Sequence, residues 1–197
     1  MIEVENFEIT IANYFTAPFA IATDCCTHAI ELCLRYLEPK KVTCPKQTYL
    51  SVPMTFMKLN LDWAFNDYNW KDYYYIGNTN IIDAAVYWKQ TGYIKDSLMC
   101  LSFQYKKHLK LGRGGMILLD DPVAYKQLTK MRYDGRESNI PWIEQDIDIL
   151  GYHYYMTPET ANLGLERFKE IKDIEPKRWT NDDYPDLSKM KVFDAIK

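Results

Sequence analysis

Two adjacent lysines, Lys106 and Lys107, follow the apolar run Asp96 to Phe103 in the stretch LSFQYKKHLKLGRGGMIL. A lysine taken out of water loses its proton more readily and becomes a nucleophile toward carbonyl carbon. Left in water, the same pair is an ordinary solvated turn. Asp83 ends a second apolar run, IIDAA. A carboxylate there can cap a turn or hold a protonated ring nitrogen, which turns a heterocycle into an electron sink. Asp24-Cys25-Cys26-Thr27 lies between a strand-like and a helix-like segment. The exposed N–H groups of a helix N-terminus favour an anion, phosphate above all, and Thr27 adds a hydroxyl. The plainer alternative is that Asp24 or Thr27 only caps the helix. Gly112-Arg113-Gly114-Gly115 implies positive φ or a close backbone approach. It completes neither GxGxxG nor a Walker loop.

These groups need elements to position them. Apolar residues Phe7, Ile11, Tyr14 and Phe15 share a helical face, which predicts a helix over Glu5 to Phe15. Phe19 to Ala22 suits a buried strand, and Thr27 to Leu37 is a helix with Ala29, Ile30, Cys33 and Leu34 on one face. Strand-like runs follow at Lys41 to Cys44, Leu61 to Phe65, Thr79 to Ile82 and Asp96 to Phe103, with a helix over Thr48 to Lys58 that contains Pro53. Residues 66–78 are turn-rich. Gly112 to Leu119 reads as hairpin and strand. Pro122 to Tyr133 is a helix capped by Asp120 or Asp121, and Thr157-Pro158 opens a helix to about Ile171. The polar tail is expected to pack as an arm or fray. Strands alternating with helices predict βαβ units and parallel strands.

The chain has 197 residues, 47% of them hydrophobic, and a net charge of -3. That suffices for one domain with a core and gives no electrostatic reason to expect nucleic acid or an anionic membrane surface. Cysteines 25, 26, 33, 44 and 100 form no CxxC, which argues against a disulfide framework and against a zinc site. Reduced thiols imply a reducing, cytoplasmic compartment. The acidic N-terminal stretch does not read as a signal peptide, and no segment is long and apolar enough to span a membrane.

Taken in order, the segments resemble the DegT/StrS family of nucleotide-sugar aminotransferases, fold-type-I enzymes of pyridoxal 5'-phosphate (PLP). FEITIANYFTAPFAIATDCCTHAIELCLRYL is similar to the family's opening helix, strand and "SGTxAL" turn. VTCPKQTYLSVPMTF, LDWAFNDYN and IIDAA resemble its "P-x-x-T-[WF]", "D-x-D" and "EDAA" segments. LSFQYKKHLKLGRGGMIL resembles "FSFxxxKxLxxGxGG", and LGYHYYMTPETANLGLERF resembles "LGxNxRMxxxxAAxGLxQL". By position, the resemblance implies that Lys107 is the Schiff-base lysine and Asp83 the partner of the ring nitrogen. Ser102, Cys26 and Thr27 would hold the phosphate, and Tyr49 would stack on the ring. His153 and Tyr155 fall in the stretch that contacts substrate or a partner subunit, which implies a homodimer.

The departures are specific. "SGT" reads CCT, Val86 stands where the family has His or Gln, and His108 follows the lysine in place of Asn. Gly151-Tyr152-His153-Tyr154-Tyr155 lacks both the Asn and the Arg of "GxNxR". The resemblance implies a shortened PLP-transferase-like α/β fold with a mostly parallel sheet. Residues 1–175 would be the cofactor-binding domain, and 176–197 a tail left from the small domain. The activity implied is transamination of a keto-sugar nucleotide by an amino-acid donor, in amino-sugar biosynthesis, with no metal. The alternatives are a non-catalytic remnant that keeps fold and dimer surface, and an unrelated α/β binding domain.

Overall fold

The computed structural model describes residues 1–196. Helix α1 (Ile2–Phe15) buries Phe7, Ile11 and Phe15 and ends at Thr16 in the left-handed region. β1 (Phe19–Thr23), α2 (Cys26–Leu37), β2 (Lys41–Pro45), α3 (Ser51–Lys58) and β3 (Asp62–Asn66) follow. Next come the short β4 (Tyr74–Tyr75) and β5 (Ile81–Asp83), then β6 (Leu98–Ser102), β7 (Gly115–Leu119), α4 (Pro122–Met131) and α5 (Pro158–Ile171). The helix caps are chemical: Asp121 accepts from the N–H groups of Val123 and Ala124, and Thr157 from that of Thr160.

The main sheet has the order β1-β7-β6-β5-β4, and β2 and β3 form a separate parallel pair. The expected mostly parallel sheet is therefore corrected to a mixed one. β5 and β6 are parallel, whereas β1–β7, β6–β7 and β4–β5 are antiparallel. The reason lies in the connections. Residues 103–114 carry no crossover helix, so β7 turns back beside β6, and β4 turns back onto β5 the same way. Because β7 is reversed against both neighbours, β1, β6 and β5 still run in one direction. Their carboxyl ends, at Thr23, Ser102 and Asp83, gather along one edge of the sheet.

The strands alternate faces with period 2. Ile21, Cys100, Ile117 and Leu119 pack toward α2, while Ala22, Met99, Leu101, Met116 and Leu118 pack toward α1 and α5. A buried ion pair, Glu8 with Arg132, locks the second layer. The Glu8 carboxylate also accepts the N–H of Ala22 at 2.7 Å, which ties α1, β1 and the end of α4 together. After α5 the chain runs back over the first half of the molecule. Asp72 N–H bonds to Trp179 O at 2.8 Å and Leu187 N–H to Lys46 O at 2.9 Å, and Phe193 packs edge-on against Trp63 and Phe65.

The glycine-rich segment has a structural task at two positions. Gly112 has φ +82°, a conformation that a side chain disfavours. Gly115 lies opposite both Thr23 and Ser102, and a Cβ on it would come within 2.4 Å of the Cys25 carbonyl carbon and the Cys26 nitrogen. Gly115→Ala should push the start of α2 away from the sheet and cost about 1–3 kcal/mol. Urea unfolding, with Gly112→Ala as the comparison of pure backbone strain, measures it.

Candidate functional site

The carboxyl edge of the sheet opens into a cavity of about 480 Å³. That is the size of a small-molecule or cofactor pocket. Lys107, Asp83, Ser102, Cys26, Thr27 and Tyr49 all line it. The structure thus brings together six positions drawn from four separate stretches of sequence.

Asp83 ends β5 and is 6% exposed. Its carboxylate accepts the Tyr74 hydroxyl at 2.5 Å and the Ala85 N–H at 3.0 Å. Tyr74 sits directly opposite on β4, and its hydroxyl also meets the Thr48 hydroxyl. Burial pushes the Asp83 carboxyl up from its ordinary value, while Tyr74, Ala85 and the Lys107 charge pull it down. Lys107 is largely buried in a turn closed by its own N–H on Gln104 O at 2.8 Å. Desolvation lowers its ammonium pKa against the opposing effect of Asp83. Lys106 is exposed at the cavity mouth. The two lysines differ because a turn, and not an alternating strand, sets their directions.

At the opposite end of the cavity is the start of α2. Cys25 is the N-cap residue, without a capping side-chain bond, so neither Asp24 nor Thr27 is the cap. Thr27 Oγ1 pairs with Ser51 Oγ at 2.8 Å. The Cys26 thiol turns inward to Cys100 O at 3.7 Å, and burial raises its pKa well above the ordinary value. Cys26 therefore offers this end its backbone, not its sulfur. Asp24 is bound by His28 Nδ1 at 2.6 Å and Arg113 Nη2 at 2.6 Å. His28 also stacks on Tyr154 with ring centroids 3.7 Å apart. Burial lowers the His28 pKa, but the hydrogen bond and charge of Asp24 outweigh it and raise the value from 6.5 to about 9.

Ser102, on β6, stands between the two ends, its Oγ accepting the Gln104 N–H at 3.4 Å. Tyr49 is half-exposed on the rim. His153 and Tyr155 lie elsewhere: His153 is exposed and bonded to Asp134 at 3.1 Å, and Tyr155 packs against Tyr133 and His153. Sequence reasoning missed Tyr74, which lies in the turn-rich stretch 66–78, and Trp179 and Tyr184, which close the cavity from the tail. Lys107 Nζ is 5.6 Å from the Trp179 ring centroid and Lys177 Nζ is 3.8 Å from it. The only signal for these residues was aromatic content in otherwise polar segments.

The mixed sheet thus sets a desolvated lysine, a buried carboxylate and a helix N-terminus on one cavity. The chain belongs to the DegT/DnrJ/EryC1/StrS aminotransferase family, whose profile matches residues 2–86 and 79–184. Solved structures agree in fold. AtS13 from Actinomadura melliaura superposes with a TM-score of 0.75 at 17% identity, over 87% of this chain and 60% of that one. The sugar aminotransferase CalS13 from Micromonospora echinospora gives 0.71 at 15%, over 87% and 61%. S. venezuelae DesV, solved in complex with a ketimine intermediate, gives 0.69 at 17%, over 86% and 57%. This chain thus spans about 60% of the length of AtS13. No curated protein sequence shows significant similarity to it. Among the described residues no helix is long and apolar enough to cross a membrane.

The raised His28 pKa makes stability depend on pH. The folded state holds the proton more tightly than the unfolded chain, so the contribution is complete below about pH 6.5 and is lost as pH rises through about 9. The difference in unfolding free energy between the wild type and His28→Asn should be flat from pH 5.5 to 6.5 and shrink steadily toward pH 9.5. Urea titrations across that range check it.

Proposed function

We propose that this cavity binds PLP and that the chain is a sugar aminotransferase, acting on a keto-sugar nucleotide with an amino-acid donor. The observation that carries the reading is the polarity of the cavity. One end offers the N-terminus of α2 with Thr27 and Ser102 nearby, and the other offers a buried carboxylate. The cofactor has the complementary polarity, with a phosphate at one end and a basic ring nitrogen at the other. Asp83 is held by two neutral donors and not by an ion pair. A buried carboxylate in that state is costly, and a protonated ring nitrogen would relieve it. The residues therefore fit the group.

When bound, the cofactor supplies an electron sink for cleavage of a bond next to nitrogen. The chain's own residues do the rest. Asp83 holds the proton at the ring nitrogen, with Tyr74 fixing its carboxylate. Thr27, Ser102 and the first N–H groups of α2 orient the phosphate. Tyr49, on the cavity rim, would stack on the cofactor ring. Lys107 Nζ, its pKa lowered by burial, is the nucleophilic amine and then carries the proton between the two reacting carbons. Trp179 and Tyr184 restrict water at the mouth.

The assembly proposed is a homodimer. Trp142, Ile143, Ile147 and Leu150 are exposed on one loop, a patch of the kind that subunit contacts cover. His153 and Tyr155, away from the cavity of their own chain, belong to that partner-facing side. The tyrosine-rich stretch 72–76 contributes less than its composition implies, because Tyr74 and Ile76 are buried within the chain. Sedimentation at micromolar concentration should give twice the 23.3 kDa chain mass, and Ile143→Asp with Leu150→Asp should return it to one.

The second reading, a remnant that keeps the fold without turnover, is favoured by the replacement of the family's Asn and Arg with Tyr152-His153-Tyr154-Tyr155. The deciding experiment is borohydride reduction in the presence of PLP, followed by peptide mapping. The expected label is on Lys107, is lost in Lys107→Ala and survives in Lys106→Ala. Equal labelling of both lysines would break the site assignment. The absence of any visible-range cofactor band with excess PLP would select the remnant.

A further inference from the structure

A second cavity, of about 630 Å³, adjoins the first and shares Lys106, Lys107 and Trp179 with it. Three segments build it: the turn after β6, the end of α5 and the tail. Its charged lining is Lys106, Lys107, Lys110, Arg167 and Lys177 against one acid, Glu170. Composition does not explain that excess, because the whole chain carries a net charge of -3. Ion pairing does not cancel it either. Lys177 is paired with Asp183 at 2.7 Å, but Lys106, Lys110 and Arg167 form no ion pair among the described residues. Arg167 Nη1 donates instead to the Lys110 carbonyl, which anchors the guanidinium without neutralising it. His108 Nε2 meets Ile171 O at 3.2 Å, and burial lowers its pKa, so it adds no charge at neutral pH. With Lys107 left aside and Lys177 set against Asp183, the three unpaired cations less Glu170 leave a charge of about two. Val86, Ile171, Ile174 and Trp179 supply apolar wall, and a concave site with low-dielectric walls focuses that charge.

We propose that this second cavity is a diphosphate subsite, and that it holds the diphosphate of a sugar nucleotide whose sugar lies toward Lys107. The sugar nucleotide rests on the aminotransferase reading above, whereas the anion subsite rests on the lining alone. Charge, size and place agree. An esterified diphosphate carries the negative charge that the unpaired cations require. A guanidinium pairs with phosphate oxygens through two parallel N–H groups, and the lysines add point charges around it. The volume falls within the range of small-molecule sites. Lys107 lines both cavities, so a ligand anchored in the second has the reactive amine at the shared boundary. An ordinary solvated face spreads its cations over open surface. Here residues from 106 to 177 bring them into one concavity, where they repel one another until an anion enters.

The test is calorimetric titration of the whole purified chain, without PLP, at about 0.15 M ionic strength. The probes are UDP, inorganic pyrophosphate and uridine. UDP and pyrophosphate should bind saturably and uridine should not. Arg167→Gln and Lys110→Gln should each weaken UDP about tenfold, the loss of one charge-assisted contact. Neither residue lines the first cavity, so their effect is separate from any anion held at the start of α2. Lys126→Gln, at an exposed position on α4, should bind like the wild type. Two variants at separate positions keep the test decisive if one folds poorly, as judged by circular dichroism. The proposal is overturned if neither UDP nor pyrophosphate saturates below about 1 mM. It is overturned equally if uridine binds as tightly as UDP, if folded Arg167→Gln and Lys110→Gln bind like the wild type, or if Lys126→Gln weakens binding as much as they do. Borohydride labelling separates this result from the cofactor reading. Label on Lys107 without diphosphate binding removes the subsite alone, and diphosphate binding without a cofactor band leaves the subsite standing on a chain without turnover.

Discussion

The constraint on which this site depends is the burial of a carboxylate at the end of β5. Asp83 has almost no contact with water, so its charge must be met from within. Tyr74 meets part of it, and can do so only because β4 turns back antiparallel and sets Tyr74 opposite Asp83 in register. Thr48 in turn anchors the Tyr74 hydroxyl. Lys107 adds a positive charge at longer range, while its own burial weakens its hold on a proton. Each group limits its neighbour: a more exposed Asp83 would leave Lys107 a stronger base, and a drier Lys107 would leave Asp83 less compensated.

The other end of the cavity solves the opposite problem. The N-terminus of α2 presents unpaired N–H groups, and Gly115 lets the sheet approach this turn with no side chain between. Asp24 is drawn in and paired with both His28 and Arg113, which leaves the region positive overall. Further along α2, the buried Glu31 is neutralised by Arg35 at 2.8 Å and Lys58 at 2.9 Å, so its charge does not reach the turn as an uncompensated negative. The cavity therefore has a positive end and a buried negative end, fixed by the topology that puts the ends of β1, β6 and β5 on one edge.

The tail folds back onto the body of the domain. It is polar in composition, yet Leu187 and Phe193 are buried and its backbone bonds to Trp70, Asp72 and Lys46. These contacts place Trp179 and Tyr184 over the cavity that holds Lys107 and Asp83. Aromatic side chains suit this position, because they cover area while losing few rotatable bonds.

Local pattern was enough to find most elements of this protein. The 3.6-residue spacing of Phe7, Ile11 and Phe15, the cap chemistry at Thr157, and the apolar runs ending at Asp83 and Ser102 are all properties of neighbouring residues. Motif order was enough to group Lys107, Asp83, Ser102, Cys26, Thr27 and Tyr49, which do share one cavity. Strand direction was not legible, since an apolar run reads the same whether its partner is parallel or antiparallel; the lack of a helix in residues 103–114 decided it. Nor were the partners of charge. That Tyr74 faces Asp83 and that Arg113 reaches Asp24 depend on contacts 9 and 89 positions apart, and Trp179, bonded to Asp72 107 positions away, returns across the chain to Lys107. The sequence determined which residues could do chemistry; tertiary packing decided which of them lost water and which charges they face, and desolvation and charge pairing are properties of that packing alone.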